Sequence, residues 1–204
     1  MFAVKDSPFM ALAFASDPQA VQTTARCLRK DGVVALPTET VYGLMALWRD
    51  GAARERIYEL KQRPADKRLQ MLASSVAMAC AAGVLESVPL QALANAFWPG
   101  PLTVVVEAGE GETIGLRIPR HPFLLAVIEE LGEPLAATSA NLSGLPPALT
   151  AAAAVQDLAG EVDLLVDGGT VEVGEASTVV SVVGGELRVL RPGPISEDEL
   201  RAAL

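Results

Sequence analysis

A four-residue apolar run that ends abruptly in polar side chains constrains this chain more than any other feature. The run, residues 33–36, lies between Gly32 and Pro37, and a short apolar run bounded by turn residues predicts a buried strand. Two threonines, a glutamate, a tyrosine and a glycine follow within residues 38–43. Open α/β sheets bind ligands beyond the carboxyl ends of their strands. The segment therefore predicts either a ligand-facing wall or a turn whose threonines satisfy their own backbone.

The rest of the chain alternates strand-like runs with helical patterns. Strands are predicted over residues 33–36, 69–73, 102–107, 113–118, 135–138, 163–166, 178–183 and 186–190. Helices are predicted to start near Asp17, Asp50, Ser75, Ser87, Pro122, Thr150 and Ser196, and the first is expected to end with Gly32 as a C-terminal glycine.

The connections decide how these strands pair. Glycine-rich turns at residues 109–111 and 184–185 predict two hairpins, so some neighbouring strands must be antiparallel. The pattern predicts a single α/β domain over residues 1–204, with an open mixed sheet flanked by helices. Residues 1–16 are expected to form an N-terminal arm or a first strand, and residues 196–204 a C-terminal helix.

Composition limits where the protein functions. Half of the residues are apolar, yet no uninterrupted apolar run approaches the ~18–20 residues of a membrane span. Residues 9–15 imitate a short signal peptide, but the lysine before them is cancelled by an aspartate. Cys27 and Cys80 both fall in helical patterns, as buried thiols in a reducing cytosol would. A cytoplasmic location without membrane association is therefore expected.

Charge points towards a small ligand. The net charge of −9 argues against a nucleic-acid surface as the main function. The basic residues nevertheless cluster at Lys61, Arg63, Lys67 and Arg68, at Arg117 and Arg120, and at Arg188 and Arg191. An acidic chain with such clusters fits a pocket for a small anion, although each cluster alone is also typical of solvated surface.

The available chemistry is that of hydroxyls, amides and cations at predicted strand ends. Phosphate-binding glycine loops and nucleophile elbows are missing from the sequence, and the single histidine, His121, is expected at the surface or as a helix cap. The candidate residues are Thr38, Glu39, Thr40, Tyr42, Lys61, Arg63, Arg117, Ser139, Asn141, Ser143 and Arg191. Such a set suits a phosphorylated ligand and charge stabilisation during group transfer. The residues alone predict a small-anion or nucleotide enzyme.

Six ordered motifs add a family resemblance. They are Pro37–Leu44, Lys61–Pro64, Trp98–Thr103, Gly115–Pro119, Thr138–Gly144 and Ser177–Val180, and Arg191-Pro192-Gly193 follows the last predicted hairpin. Together they resemble the YrdC-domain family, the threonylcarbamoyl-AMP synthases, over residues 17–195. The resemblance implies a twisted open sheet with a large basic concavity as the active-site cleft.

The implied reaction joins L-threonine, bicarbonate and ATP into threonylcarbamoyl-adenylate and pyrophosphate. The product would pass to a threonylcarbamoyl transferase complex for the t6A modification of tRNA, and weak binding of tRNA itself is left open. The resemblance implies Mg²⁺ arriving with ATP, no organic cofactor and no metal ligands on the protein.

The resemblance also implies residue roles. The catalytic group around the nucleotide and the carbamate would be Lys61, Arg63, Ser139 and Asn141. Threonine would be held by Thr38, Arg117 and Ser177, while Thr113 and Arg191 would reach ATP. Glu39 and Tyr42 are expected to brace the loop through hydrogen bonds.

Some positions depart from the family pattern. The family often follows its lysine–arginine–proline motif with a proline–leucine pair and a histidine, and residues 67–72 contain neither. The variation resembles a short, single-domain bacterial branch and leaves a ligand role for these residues open. Two other functions also stay open: an RNA-binding or ribosome-maturation module, against which the acidic total argues, and a paralogue with another carbamoyl-transfer role.

Overall fold

The computed structural model describes residues 11–204, which form ten strands and seven helices. The strands are β1 (Leu12–Phe14), β2 (Val34–Leu36), β3 (Gly43–Leu47), β4 (Gln70–Leu72), β5 (Leu102–Glu107), β6 (Thr113–Arg117), β7 (Leu135–Ser139), β8 (Leu164–Asp167), β9 (Thr178–Ser181) and β10 (Arg188–Arg191). The helices are α1 (Ala20–Leu28), α2 (Gly51–Lys61), α3 (Val76–Ala81), α4 (Val88–Phe97), α5 (Pro122–Leu131), α6 (Ala151–Gln156) and α7 (Glu197–Ala202).

All ten strands belong to one sheet, in the order β1-β8-β2-β3-β7-β4-β6-β5-β9-β10. The pairs β1–β8, β8–β2, β4–β6 and β5–β9 are parallel, and the other five are antiparallel. The predicted single-domain α/β fold with a mixed sheet is therefore confirmed. Among residues 11–204, no helix is long and apolar enough to cross a membrane.

Helices cover one face of the sheet from β8 to β9 and the other face over a shorter part. On the first face, α2 and α6 pack against β2, β3, β7 and β8, while α3, α4 and α7 pack against β5, β6 and β9. On the second face, α1 and α5 pack against β2, β3, β7 and β8. Because side chains alternate along a strand, every other residue of the remaining strands points away from the helices. That uncovered face carries the site described below.

The sequence did not predict β3, although this strand lies in the middle of the sheet. Its five residues are all buried, with Leu44 facing one core cluster and Met45 the other. A strand covered on both faces has no polar alternation to reveal it. Gly43 was expected to close the polar segment, but it begins the strand instead.

The ends of α1 also differ from the prediction. The helix begins at Ala20 with Gln19 as its N-cap residue, while Asp17 Oδ1 accepts the Gln19 N–H at 2.8 Å within the preceding turn. Asp31, not Gly32, adopts the left-handed conformation, with φ of 61°. Gly32 is required for a different reason, since a Cβ there would lie 2.7 Å from the Cys27 carbonyl oxygen.

The other helix signals are confirmed. Asp50, Ser75, Ser87 and Thr150 accept backbone N–H groups as N-caps, and Ser196 forms the predicted capping box with Glu199. The second hairpin is looser than a two-residue turn, because residues 182–187 connect β9 to β10 and contain a short 3₁₀ turn. At the other end of the chain, β1 pairs with β8 and confirms a first strand, while the start of the signal-like segment lies outside the described residues.

Candidate active site

A cavity of about 470 Å³ lies on the uncovered sheet face. Alternate residues of neighbouring strands form its floor: Gln70 of β4, Thr113, Gly115 and Arg117 of β6, Thr103 and Val105 of β5, Ala137 and Ser139 of β7, Val179 of β9 and Arg191 of β10. Loops complete the rim with Thr40, Val41, Arg63, Arg68, Leu69, Asn141, Leu145, Pro147, Ala176 and Ser177. Four arginines and no described Asp or Glu residue line the cavity.

Two of these arginines nevertheless have acidic partners close by. Glu39 pairs with Arg117, and Glu112 pairs with Arg68. A positive potential over the whole cleft, implied by the family resemblance, therefore stays a prediction. The hydrogen bonds of the individual arginines show which of their nitrogens are open to the cavity.

Three arginines of the cavity are anchored in the same way. Arg63 donates from Nε and Nη2 to the carbonyl oxygens of Lys67 and Arg68, at 2.7 and 3.0 Å. Arg191 donates from the same two nitrogens to the Ser177 carbonyl oxygen, at 3.2 and 2.7 Å. Each guanidinium keeps Nη1 without a hydrogen-bond partner among the described residues. Donors fixed in this way are preorganised for an anion.

Arg117 follows the same pattern in a more buried position. Its Nη2 forms an ion pair with Glu39 Oε1 at 2.8 Å and donates to Thr40 Oγ1 at 3.0 Å, and its Nε donates to the Gly100 carbonyl oxygen at 3.2 Å. A two-pronged grip on a carboxylate requires Nη2 together with a second nitrogen. Nη2 is already engaged here, so Nη1 is the nitrogen that Arg117 can offer without releasing a partner.

The arginines are close enough to affect one another. Burial first, and then the charges of Arg117 and Arg63, lower the pKa of Arg191. Burial also lowers the pKa of Arg63. Both guanidinium groups stay charged at neutral pH because the ordinary arginine pKa is so high. An anionic ligand would offset this mutual repulsion.

Lys61 lies behind the cavity and not on its surface. The side chain is buried, with 1% of it exposed, and its Nζ donates to the carbonyl oxygens of Ser139 and Asn141. Burial first, and then the charge of Arg63, lower the pKa of Lys61 to about 8. The lysine thus holds the loop after β7 in place and brings a positive charge beneath it.

The loop after β7 presents the predicted Ser139 and Asn141 to the cavity. Asn141 Nδ2 donates to the carbonyl oxygens of Leu142 and Leu145, both at 2.8 Å. Its Oδ1 is buried and has no partner among the described residues. Since an unsatisfied buried acceptor is costly, a ligand donor at this oxygen would stabilise the loop.

The loop after β2 is largely satisfied by itself. Thr38 Oγ1 donates to the Val41 carbonyl oxygen at 2.7 Å and accepts the backbone N–H groups of Thr40 and Val41, each at 3.1 Å. Thr38 and Thr40 are both buried, but Thr40 and Val41 border the cavity and Thr38 does not. The predicted role of Thr38 in holding threonine stays a prediction.

Bracing by Glu39 and Tyr42 is confirmed. Glu39 Oε1 accepts the Arg120 backbone N–H at 2.9 Å and forms an ion pair with Arg117. Tyr42 is fully buried, and its hydroxyl donates to the Gly169 carbonyl oxygen at 2.7 Å. His121 serves as the N-cap of α5, because its Nδ1 accepts the Leu124 N–H at 3.3 Å.

Thr113, Ser177 and Arg191 also reach the cavity as predicted, whereas Gln70, Thr103 and Thr138 line it without having been named as candidates. Thr103 Oγ1 donates to Gln70 Oε1 and lies 2.9 Å from Ser177 Oγ. Thr103 belongs to one of the quoted motifs, whereas Gln70 belongs to the segment whose ligand role was left open. Strand alternation could have placed both on one face once the register was known.

A protein-held metal does not fit the described residues. Within residues 11–204, no three His, Cys, Asp or Glu side chains gather in a way that could hold an ion. Mg²⁺ prefers carboxylates and phosphate oxygens. A magnesium ion that arrives with a nucleotide would therefore be part of the substrate, coordinated by its phosphates.

The fold and site together define an open α/β sheet with an arginine-lined cavity for a small ligand. A family model named for Sua5, YciO and YrdC, and described as telomere recombination, matches residues 26–193. The chain is 39% identical over 200 residues to the threonylcarbamoyl-AMP synthase of Bacillus subtilis, covering 93% of this chain and 57% of that protein. The chain belongs to the Sua5/YciO/YrdC family.

Other relatives agree in sequence and in structure. A putative threonylcarbamoyl-AMP synthase of Mycobacterium tuberculosis is 33% identical over 204 residues, which cover 93% of each protein. Sua5 of Pyrococcus abyssi complexed with L-threonine has a TM-score of 0.84 and 33% identity, over 97% of this chain and 61% of that one. Escherichia coli YciO, at 24% identity and a TM-score of 0.81, shares the fold. The chain thus spans less than two thirds of the B. subtilis and P. abyssi proteins.

Proposed function

We propose that this chain is an L-threonylcarbamoyladenylate synthase, a nucleotidyltransferase that uses L-threonine, bicarbonate and ATP. The observation that carries the proposal is the convergence of Arg63, Arg117 and Arg191 on one cavity, each anchored by Nε and Nη2. The printed names of the relatives support the same activity. The product would be passed to a threonylcarbamoyl transferase complex for the t6A modification of tRNA.

Threonine is proposed to bind near Arg117 and Ser177. A structural neighbour at 33% identity was determined with L-threonine, which supports an amino-acid site in the shared fold. Arg117 Nη1 would donate to the amino-acid carboxylate, and Thr40 lies beside it through its bond to Arg117 Nη2. Ser177 would close the other side of the amino acid.

The chemistry requires two anions to meet. The threonine amine attacks bicarbonate or the CO2 formed from it, losing water overall and giving a carbamate. A carbamate oxygen then attacks the α-phosphorus of ATP, and the bond to pyrophosphate breaks. Two unit charges 4 Å apart repel by about 4 kcal/mol near a protein surface. Cations around the nucleotide, Arg63 and Arg191 on the cavity and Lys61 beneath it, would lower that repulsion.

Ser139 and Asn141 are proposed to orient the reacting groups. The free Oδ1 of Asn141 can accept from an N–H of the ligand, and the Ser139 hydroxyl can donate to an oxyanion. Lys61 fixes both residues from behind through their carbonyl oxygens. Thr113 lines the same cavity, where it would contact ATP. Magnesium enters as MgATP.

The test is an incubation of the purified chain with MgATP, labelled bicarbonate and one amino acid at a time. Labelled adenylate and pyrophosphate should form with L-threonine and not with serine or alanine. A relative of known activity in the same buffer serves as the positive control. If that relative works and this chain forms no adenylate with threonine, the proposed function is wrong.

A further inference from the structure

The side-chain amide of Gln70 has a hydrogen bond at its oxygen, while its nitrogen is open to the cavity. Gln70 begins β4, lines the cavity and is partly exposed. Its Oε1 accepts the Thr103 hydroxyl at 2.9 Å. Among the described residues its Nε2 has no hydrogen-bond partner, and that nitrogen is not among the buried unsatisfied atoms. The amide nitrogen is therefore accessible from the cavity.

A glycine on the strand between them lets Gln70 and Thr103 meet. Gln70 is on β4 and Thr103 on β5, and β6 runs between these strands with Gly115 on the cavity face. A Cβ at Gly115 would touch Thr103 Cγ2 at 3.4 Å and Gln70 Cβ at 3.7 Å. A larger residue would extend from this point into the space where the two side chains bond. The missing side chain thus leaves room for the contact across β6.

The contact continues to an arginine through two hydroxyl groups. Arg191 Nη2 lies 3.2 Å from Ser177 Oγ, which lies 2.9 Å from Thr103 Oγ1. A guanidinium group can only donate, so Ser177 Oγ accepts from it. When Thr103 donates to Gln70 Oε1, the Ser177 hydroxyl donates to Thr103. Every hydroxyl hydrogen in this chain then has an acceptor.

The opposite orientation of the amide is less favourable. If Gln70 Nε2 donated to Thr103, the Thr103 hydroxyl would donate to Ser177, and the Ser177 hydrogen would have no acceptor among the described contacts. Thr103 and Ser177 are each 3% exposed, and an unsatisfied buried hydroxyl costs about 1–3 kcal/mol. The hydrogen-bond chain that begins at Arg191 therefore directs the NH2 group of Gln70 to the cavity.

We propose that Gln70 is a ligand-binding residue of this cavity, whose side-chain amide donates an N–H to an oxyanion of the bound ligand. The oxyanion would be the carboxylate of the amino acid or a phosphate of the nucleotide, a choice that rests on the proposed function. The neighbouring cavity donors, Arg117 and Arg191, attract the same class of group. Gln70 adds a neutral donor of fixed direction on β4, beside the strand that carries Arg117.

The test measures binding of two probes, L-threonine alone and MgATP alone, by isothermal titration calorimetry. Gln70→Met keeps the length of the side chain and removes the amide. It should weaken at least one probe about tenfold, the typical loss for a hydrogen bond to a charged group. The probe that is weakened identifies the oxyanion. Gln70→Ala provides a second variant if Gln70→Met does not fold, and thermal unfolding checks both.

A double-mutant cycle with Thr103→Val distinguishes a direct contact of Gln70 with the ligand from an indirect effect of Gln70 through Thr103. If Gln70 donates to the ligand, Gln70→Met should weaken binding in the Thr103→Val background as well. Unchanged affinity for both probes, or a loss that disappears in that background, would overturn the inference. The adenylate assay on the unaltered chain is independent of this result. A chain that forms adenylate but tolerates Gln70→Met keeps its proposed function and loses only this inference.

Discussion

Two loops of similar composition follow buried strands of the same sheet, yet different interactions hold them in place. The loop at residues 38–42 follows β2, and the loop at residues 139–143 follows β7. In the first, Thr38 makes its hydrogen bonds within the turn and Glu39 neutralises Arg117. In the second, the carbonyl oxygens are held from behind by Lys61, and an amide oxygen is left without a partner.

The first loop is stabilised by hydrogen bonds within its own turn, and the second by the buried side chain of Lys61. The loop after β2 is held mainly by its own hydrogen bonds around Thr38, although Glu39 Oε2 is buried there without a partner among the described residues. The loop after β7 rests on a buried cation that has neutral carbonyl groups as its hydrogen-bond partners, which is costly in a low-dielectric surrounding. An anionic ligand in the cavity would offset that cost. We therefore expect changes in the first loop to affect stability, and changes beneath the second to affect function.

The largest effect is expected for Lys61→Met, which removes the support of the second loop. Adenylate formation should fall at least about 100-fold, because the positions of Ser139 and Asn141 and a nearby positive charge are lost together. The melting temperature should change little, because the cost of a buried charge is removed together with two hydrogen bonds to carbonyl oxygens. Lys67→Met, at an exposed position of the same segment, is the control and should keep full activity. Near-normal turnover in Lys61→Met would remove Lys61 from the site.

A smaller effect, on stability, is expected for Glu39→Gln in the first loop. The substitution leaves the buried Arg117 without an opposite charge, and we expect the free energy of unfolding in urea to fall by about 2–3 kcal/mol. Glu112→Gln is the matched control, because the Arg68–Glu112 pair is more than half exposed on both sides. Exposed pairs contribute about 0–1 kcal/mol. Equal losses in the free energy of unfolding of both variants would contradict a stabilising role for the first loop.

The next largest effect is expected for Thr38→Val and Thr40→Val, which should change stability and the threonine KM, respectively. Thr38→Val breaks bonds inside the turn and should lower the free energy of unfolding by about 1–2 kcal/mol. Thr40→Val should raise the threonine KM more than Thr38→Val does, because Thr40 lines the cavity. Steady-state kinetics with threonine as the varied substrate checks this order. The reverse order of KM values would indicate that Thr38, and not Thr40, contacts the substrate threonine.

The smallest effect is a pH dependence that comes from Lys61. Its pKa is lowered to about 8, first by burial and then by Arg63. The charged form is therefore lost as the pH rises through 8, and MgATP affinity should fall by less than about tenfold between pH 7 and 9. Binding is the proper measurement, because the threonine amine and bicarbonate titrate within reach of this range.

The same charge should appear as proton uptake. A phosphate near Lys61 favours its ammonium form, so MgATP binding at pH 9 should take up a fraction of a proton. Calorimetry in two buffers of different ionisation enthalpy measures this fraction. Lys61→Met should abolish the part that comes from the lysine. Identical proton uptake in the variant would show that another group titrates.

Much of the fold followed from local signals. The start of the helix at Pro122–Leu131 was predicted correctly, because proline suits a first turn, and Gly132 ends the helix in the left-handed conformation, with φ of 72°. The capping box at Ser196 was equally clear. The prediction missed β3, since a fully buried strand shows no alternation, and it misplaced the role of Gly32, since a close approach to Cys27 depends on packing.

The site was predicted in part for the same reason. Arg63, Arg117, Ser139, Asn141 and Arg191 were named from motifs and do line the cavity. The motifs carried no information on which of their polar groups face inwards. The turn at residues 38–42 buries both threonines, and which of them borders the cavity depends on hydrogen bonds within the folded loop.

By itself, the sequence determined the order of the helices and of most strands, the polar segments at strand ends and the membership of a family. These are properties of neighbouring residues, for which propensity, caps and turn chemistry are sufficient. Only the tertiary structure decided that Lys61 lies behind the wall, and that Arg191, Ser177, Thr103 and Gln70 form one hydrogen-bond chain. Those four residues are far apart in sequence and meet only because strand order and register bring them to one face of the sheet.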